Sequence, residues 1–561
     1  MLIYIFPVIS FLFVTSECSY LSSDIIVRIR DGYLRGDMMT SEKGDFFFAF
    51  RGIPYAEPPI GKLRFKPPVP NKPWKGVRNA TTDRPSCPQL DYFTGGQKFI
   101  GSEDCLYLNV YTPQFPENNE TKYDVLFHIH GGGFTFGNGG SSSFGPRRFP
   151  LKNIILVSIT YRVSSLGFLS TKDSFSPGNY GLLDQLEGLR WVRNNIRYFG
   201  GDPSRVTLLG QSAGSASVLY HVLSPLTEGL FHRAIALSGS PLIPYALQKD
   251  PLYWTTKLAH YVDCPIKDSE ILVECLRKKS AEEIIINSSE FEGINLVYAF
   301  APTVDNYFIT DIPLNILKNG TFKKNIPILM GVTEGEAFCW SSNKNSSEKF
   351  TDDEILQNLK VIVDVRPNVN EILKEIKAEY FAQTPSRDND IVQKILRTAM
   401  TEGKYHIPVY YTAKLMMEYG IRLYLYRYDY LAPWFKPPEH SGVCHTDELY
   451  LLFDGSRRMV HFDAASEKFK EYYQRLIINF IKTGDPTPIK NFTLEWPPCE
   501  REDLYLYHIY ETPFVENYKY LDNELYNFWK KIIEELNANT KNSSKNECCN
   551  SFENNKYFFT L

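Results

Sequence analysis

Apolar residues along this chain fall into short, almost unbroken runs separated by longer stretches in which they recur every three or four positions. Runs at residues 125–130 (Val-Leu-Phe-His-Ile-His), 154–160, 205–210, 234–237, 326–330 and 421–426 have the length and β-branched content of strands buried on both faces. Between the second and third, Leu183, Leu186, Leu189, Val192 and Ile196 carry helical spacing over 182–195. Strands alternating with helices predict an α/β fold with a mostly parallel central sheet covered by helices on both faces. Near the start, the alternation over 25–33 predicts an edge hairpin, and the proline- and glycine-punctuated 50–61 an ordered loop.

The third run leads into Gly210-Gln211-Ser212-Ala213-Gly214, and a helix-compatible segment follows at 216–223. A strand, a tight turn and a helix with serine at the apex is the G-x-S-x-G elbow. Its glycines are needed because the turn is strained and another backbone packs close. The first run leads into Gly131-Gly132-Gly133-Phe134, where missing side chains leave backbone N–H groups free to face a ligand oxygen. A serine hydroxyl is a weak nucleophile without a base and a third group to orient that base. In elbow-type hydrolases the order is serine, acid, histidine. The strand at 326–330 is followed by Glu334 and Glu336, either of which satisfies that order. Among the 10 histidines, five lie downstream (His406, His440, His445, His461 and His508), and spacing does not choose between His440 and His445. His128 and His130 are read as ordering the glycine loop.

The 43% hydrophobic and 22% charged residues and the net charge of −4 belong to a globular protein and give no reason to expect nucleic acid as a partner. Residues 2–14 form an apolar run too short to span a bilayer, followed by small polar residues, which predicts a cleaved signal over 1–18 although no Lys or Arg precedes it. Asn79, Asn119, Asn287, Asn319, Asn345, Asn491 and Asn542 begin N-x-S/T sequons, consistent with a secreted, extracellular glycoprotein. No composition break interrupts 19–536. The Asn-, Ser- and Lys-rich 537–561 is read as a mobile tail without a lipid-anchor signal, so no stable membrane anchor is expected. Of the 10 cysteines, Cys87 with Cys105 and Cys264 with Cys275 are spaced to close short loops. With Cys18 removed, an odd number remains (Cys339, Cys444, Cys499, Cys548 and Cys549), leaving at least one free or paired between chains. Cys444 is read as a buried inert thiol in preference to a reactive one.

These residues bring a family into view. With Phe50-Arg-Gly-Ile-Pro-Tyr-Ala, Ser102-Glu-Asp-Cys-Leu-Tyr-Leu-Asn-Val, His130-Gly-Gly-Gly-Phe, Asp184-Gln185, Phe199-Gly-Gly-Asp-Pro and the elbow, the sequence resembles the type-B carboxylesterase and cholinesterase family of α/β-hydrolases, in an insect-like style, over residues 25–533. The resemblance implies Ser212 as nucleophile, Glu336 as acid and His445 as base. Gly132, Gly133 and Ala213 are then the oxyanion donors, and Cys87–Cys105 and Cys264–Cys275 the family's short disulfides. It implies hydrolysis of small apolar carboxylic esters through an acyl-enzyme, with no metal or organic cofactor, and it leaves the oligomeric state open. Gln211 stands where cholinesterases carry a glutamate, and no tryptophan lies between Cys87 and Cys105, so choline esters are poor candidates. A narrower reading is a juvenile hormone esterase, which shares Gly-Gln-Ser-Ala-Gly. A rival of another class is a catalytically silent member that binds or adheres.

Overall fold

The computed structural model describes residues 25–538 apart from 93–97, 116–122, 292–297, 339–348, 364–368, 383, 385–386, 435–441, 455–461, 489–491, 493, 502 and 518–522. The signal and tail expectations lie outside these residues, as do Asn119, Asn345, Asn491, Asn542, His440 and His461.

An 11-stranded sheet runs through the molecule. In chain order its strands are β1 (Asp37–Thr40), β2 (Phe46–Pro54), β3 (Tyr107–Thr112), β4 (Tyr123–Ile129), β5 (Ile154–Ile159), β6 (Gly201–Gln211), β7 (Arg233–Leu237), β8 (Ile328–Thr333), β9 (Leu423–Tyr428), β10 (Tyr505–Ile509) and β11 (Phe514–Asn517). Across the sheet they stand β1-β2-β3-β5-β4-β6-β7-β8-β9-β10-β11. From β5 to β10 every pairing is parallel, and antiparallel strands close both edges. Residues 26–28 and 33–35 do form the expected hairpin, but in a separate 3-stranded sheet with Val77–Asn79. The loop expected at 50–61 is corrected: its first five residues belong to β2, whose pairing with β3 shifts register between Phe50 and Ile53. A bulge there absorbs Arg51 and Gly52, so the polar and glycine signals that read as loop sit inside a strand.

Alternation along the strands builds two cores. Val125, Phe127 and Ile129 of β4 join the cluster containing α1 (Tyr180–Asn195) and α2 (Ala213–Leu223). Leu126, with Leu156 of β5 and Leu209 of β6, joins Phe469, Tyr473, Leu476 and Phe480 of α3 (Ala464–Thr483) on the other face. Helices therefore cover both faces, as two-sided burial of a parallel sheet requires. Among the described residues no helix is long and apolar enough to cross a membrane.

The strand order reverses direction between β4 and β6: the chain leaves β4 for β5 on one side and β6 for β7 on the other. The crevice at such a switch point, at the carboxyl ends of the strands, is where open α/β sheets bind ligands. The loops that leave these two ends are Gly131–Gly133 and Ser212. A buried ion pair secures the neighbourhood: Arg162 just beyond β5 donates from Nε and Nη2 to Asp184 of α1 at 2.8 and 2.7 Å, and Asp184 also accepts from the Arg162 N–H. Both side chains are buried. Asp184→Ala strands the guanidinium without its counter-charge, at an expected cost of about 3–5 kcal/mol, to be read from the shift in urea unfolding midpoint against wild type. A shift no larger than that of an exposed Asp→Ala control excludes this role.

Candidate active site

Ser212 sits at the joint between β6 and α2 with φ 60° and ψ −122°. A non-glycine residue holds such a conformation only when its surroundings over-determine it. Its N–H donates to Leu237 O at 2.8 Å and its carbonyl accepts from Ala216 N at 2.9 Å. The close approach comes from Gly214: a Cβ there would lie 2.2 Å from Ile129 O, so the first turn of α2 presses directly on the end of β4. The hydroxyl is thereby projected into the crevice, 3.4 Å from the Tyr245 hydroxyl.

Glu336 lies in the turn after β8 and is fully buried. Its Oε1 accepts from Thr333 N at 2.7 Å and its Oε2 accepts from His445 Nδ1 at 2.6 Å, while the His445 N–H donates to Glu336 O at 3.2 Å. Burial, the largest single influence, pushes this carboxyl up. The His445 charge and the hydrogen bonds from His445, Ser238 and Thr333 outweigh it and hold the group below its ordinary value. Glu334 is in a different place. It is raised by burial and then by Asp429, and lines a 390 Å³ polar cavity with Arg427, Glu402 and His406. Of the two acids offered by the sequence, the structure brings Glu336 to the imidazole. The other described downstream histidines are engaged elsewhere: His406 Nε2 donates to Thr333 O at 2.8 Å, and His508 bonds Asp429 and Glu516.

The glycine loop turns back on itself, with Thr135 N and Phe136 N donating to Gly132 O at 3.0 and 3.1 Å. Gly132 has φ 105°, and a Cβ on it would lie 2.1 Å from Phe136 O, so only glycine fits. Among the described residues the N–H groups of Gly132, Gly133 and Ala213 have no acceptor within the protein. Three such donors, one of them at a helix N-terminus, suit an oxygen that gains negative charge. His130 orders this loop as expected, stacking on Tyr161 at 4.2 Å with Nδ1 donating to Gly131 O at 2.8 Å; burial pushes its imidazole down to about 4. His128 does not: it points to the opposite face of the sheet, between Phe144 and Phe453.

Gln211 adds what sequence reasoning did not foresee. Its Nε2 lies 3.2 Å from His445 Nε2, and among the described residues Ser212 Oγ is hydrogen-bonded to Tyr245 and not to His445. Also unforeseen is a π-helical turn, Thr401–His406, that wraps the site. Thr401 Oγ1 accepts from Ala337 N at 3.1 Å, and the Tyr405 ring lies 4.7 Å from the His445 imidazole. No local pattern marks this turn, because its residues meet the site only through the fold.

The disulfides Cys87–Cys105 and Cys264–Cys275 are formed. Cys499 is the free, buried cysteine among the described residues, its thiol pushed up to about 12 by burial. The reading of Cys444 as a thiol is corrected: it is disulfide-bonded, with a partner outside the described residues. Asn79 and Asn319 are exposed and Asn287 half-buried, its Nδ2 donating to Glu283 O.

A twisted, mostly parallel sheet with an elbow serine, a histidine and a buried acid at its carboxyl end defines an α/β-hydrolase. Residues 23–529 match the model of the Carboxylesterase family, and the chain belongs to that family. Esterases FE4 and E4 of Myzus persicae are each 34% identical over 82% of this chain, covering 84% and 86% of their own lengths. Neuroligin-2 of Mus musculus is 32% identical over 87% of this chain. The chain spans 65% of the neuroligin's length.

A second buried carboxyl tests the electrostatics. Glu448 is fully buried, its Oε1 accepts from Ser238 Oγ at 3.5 Å, and its Oε2 has no partner among the described residues. Burial first, and the charge of Glu336 second, raise it well above its ordinary 4.5. It therefore keeps its proton in the folded state where the unfolded chain has released it, and stability falls as pH rises above about 4.5. Glu448→Gln, neutral at every pH, is expected to exceed wild type in Tm at pH 7, with the gap closing toward pH 4.5. Parallel Tm profiles over this range contradict the assignment.

Proposed function

We propose that this protein is a secreted serine carboxylesterase that hydrolyses apolar carboxylic esters. The observation that carries the reading is the buried Glu336 carboxylate bound to His445 Nδ1 at 2.6 Å, in the crevice where Ser212 projects from its elbow. Held by Glu336, His445 takes the Ser212 proton at Nε2 as Oγ attacks the ester carbonyl. The resulting oxyanion is bound by the N–H groups of Gly132, Gly133 and Ala213, each worth about 3 kcal/mol when aimed at the transition state. His445 then protonates the leaving alcohol, and water repeats the sequence on the acyl-enzyme to release the acid. No step calls on a metal or an organic cofactor. Disulfides within the described residues support an oxidising, extracytoplasmic compartment.

One observation favours a second reading, a family member that binds without turnover. The Gln211 amide occupies hydrogen-bonding distance of the imidazole nitrogen that catalysis needs for Ser212. Esterases and neuroligins both stand among the relatives, so membership alone does not decide between the two. Catalysis requires the Gln211 amide to yield Nε2 to the serine, a tightening commonly seen only once substrate binds.

Incubation with an organophosphate followed by peptide mass spectrometry is expected to place the adduct on Ser212. Ser212→Ala and His445→Ala are each expected to lower kcat on a short naphthyl ester by about 10⁴-fold or more. An unmodified Ser212 in folded protein, with no ester turned over, replaces the esterase reading with the binding one.

A further inference from the structure

The hydrolysis set out above uses every polar group at the reaction centre but one, the hydroxyl of Tyr245. This residue is buried, and its hydroxyl lies 3.4 Å from Ser212 Oγ, which among the described residues is its one hydrogen-bond partner. It comes from a segment that supplies neither the elbow nor the oxyanion loop, a single 3₁₀ turn, Pro244–Ala246, beyond the carboxyl end of β7. That turn is held from two sides. Ala246 N donates to Ile243 O at 2.9 Å, and the Tyr220 hydroxyl of α2 donates to Ala246 O at 2.5 Å. The Tyr245 ring packs against Tyr298, Tyr405 and Phe134 with centroids 4.9, 6.4 and 6.5 Å away. Backbone and ring together set the hydroxyl oxygen beside the nucleophile.

Resting on the esterase reading of this site, we propose that Tyr245 is a further catalytic residue, whose hydroxyl donates a hydrogen bond to Ser212 Oγ and stabilises that atom while it carries charge. The direction of the bond follows from the inventory of hydrogens. A serine hydroxyl has one proton and two lone pairs. Catalysis sends that proton to His445, so the contact that persists through the step is the one in which Tyr245 donates. In acylation the Oγ–H bond breaks, its proton passes to His445 Nε2, and an Oγ lone pair forms the bond to the ester carbon; Oγ is negative in the interval. In deacylation the C–Oγ bond breaks, its electron pair returns to Oγ, and His445 gives the proton back. Tyr245 keeps its own proton throughout. Burial pushes its phenol up, which removes it as a base and leaves it a donor. The N–H groups of Gly132, Gly133 and Ala213 do not take this role, since they address the carbonyl oxygen. Phenylalanine would fill the same space among these rings without burying a polar atom, so packing accounts for the ring and not for its oxygen.

The test uses the full-length protein in excess over 4-nitrophenyl butyrate, where release of nitrophenolate in a single turnover reports attack by Ser212. The rate is followed to its plateau with rising enzyme concentration, and a partly folded sample moves the half-saturation point but not the plateau. Tyr245→Phe, which deletes one oxygen and keeps the ring, is expected to lower the plateau about tenfold or more and to move half-saturation less than about threefold. Phosphorylation of Ser212 by diethyl 4-nitrophenyl phosphate is expected to slow in parallel, because it needs the same attack by Oγ. Tyr245→Leu also lacks the donor and is expected to fall at least as far, which keeps the inference open to refutation should the phenylalanine variant not fold. A plateau unchanged or raised in either variant, or a loss confined to half-saturation, overturns the inference alone. Wild type that releases no nitrophenolate from the ester overturns the esterase reading and this inference with it.

Discussion

The strained backbone at Ser212 is the constraint on which the rest of this structure depends. A φ of 60° at a serine survives only because neighbours on every side leave no room to relax. A Cβ on Gly214 would meet Ile129 O at 2.2 Å, and one on Gly239 would meet Ser212 O at 2.2 Å. The elbow is thus wedged between the ends of β4 and β7, and that wedge exists because β4, β6 and β7 run parallel and end together. Parallel pairing in turn demands crossovers, and the crossovers are the helices that cover the sheet.

Around this joint burial keeps three imidazoles uncharged. His128, His130 and His221 are buried and pushed down to about 3, about 4 and about 3, so they stay neutral across the working range. Glu448 is pushed the opposite way by the same physics, burial, and stays protonated beside Glu336. Glu336 alone in this group is held on the ionised side, because it accepts from His445 and from the Thr333 N–H.

A single π turn links this electrostatic centre to the crevice. Thr401 and His406 fasten it to the acid loop, Tyr405 faces the imidazole and Lys404 faces the rings beside Ser212. Movement of this turn would disturb Glu336, His445 and the rings beside Ser212 together.

Much of the centre was legible from the chain alone. The runs at 125–130, 154–160 and 205–210 read as buried strands because both faces of a parallel strand are apolar, and the elbow was visible because its glycines answer a steric demand within five residues. The edges were not: β2 hides Arg51 and Gly52 in a bulge, and a local reading takes the same residues for a loop. The residues alone left Glu334 and Glu336 equivalent, two positions apart on one turn, until the fold set one against His445 and the other into a separate cavity. Tyr245, Tyr298, Lys404 and Tyr405 carry no shared spacing, since they arrive from three distant segments. The sequence by itself determined the α/β alternation, the strained serine turn and the glycine loop, because each is a local requirement of backbone geometry or burial. Only the tertiary structure decided which acid and histidine meet, where the Gln211 amide lies and what the Tyr245 hydroxyl reaches, because contacts between remote segments follow from how the crossovers pack.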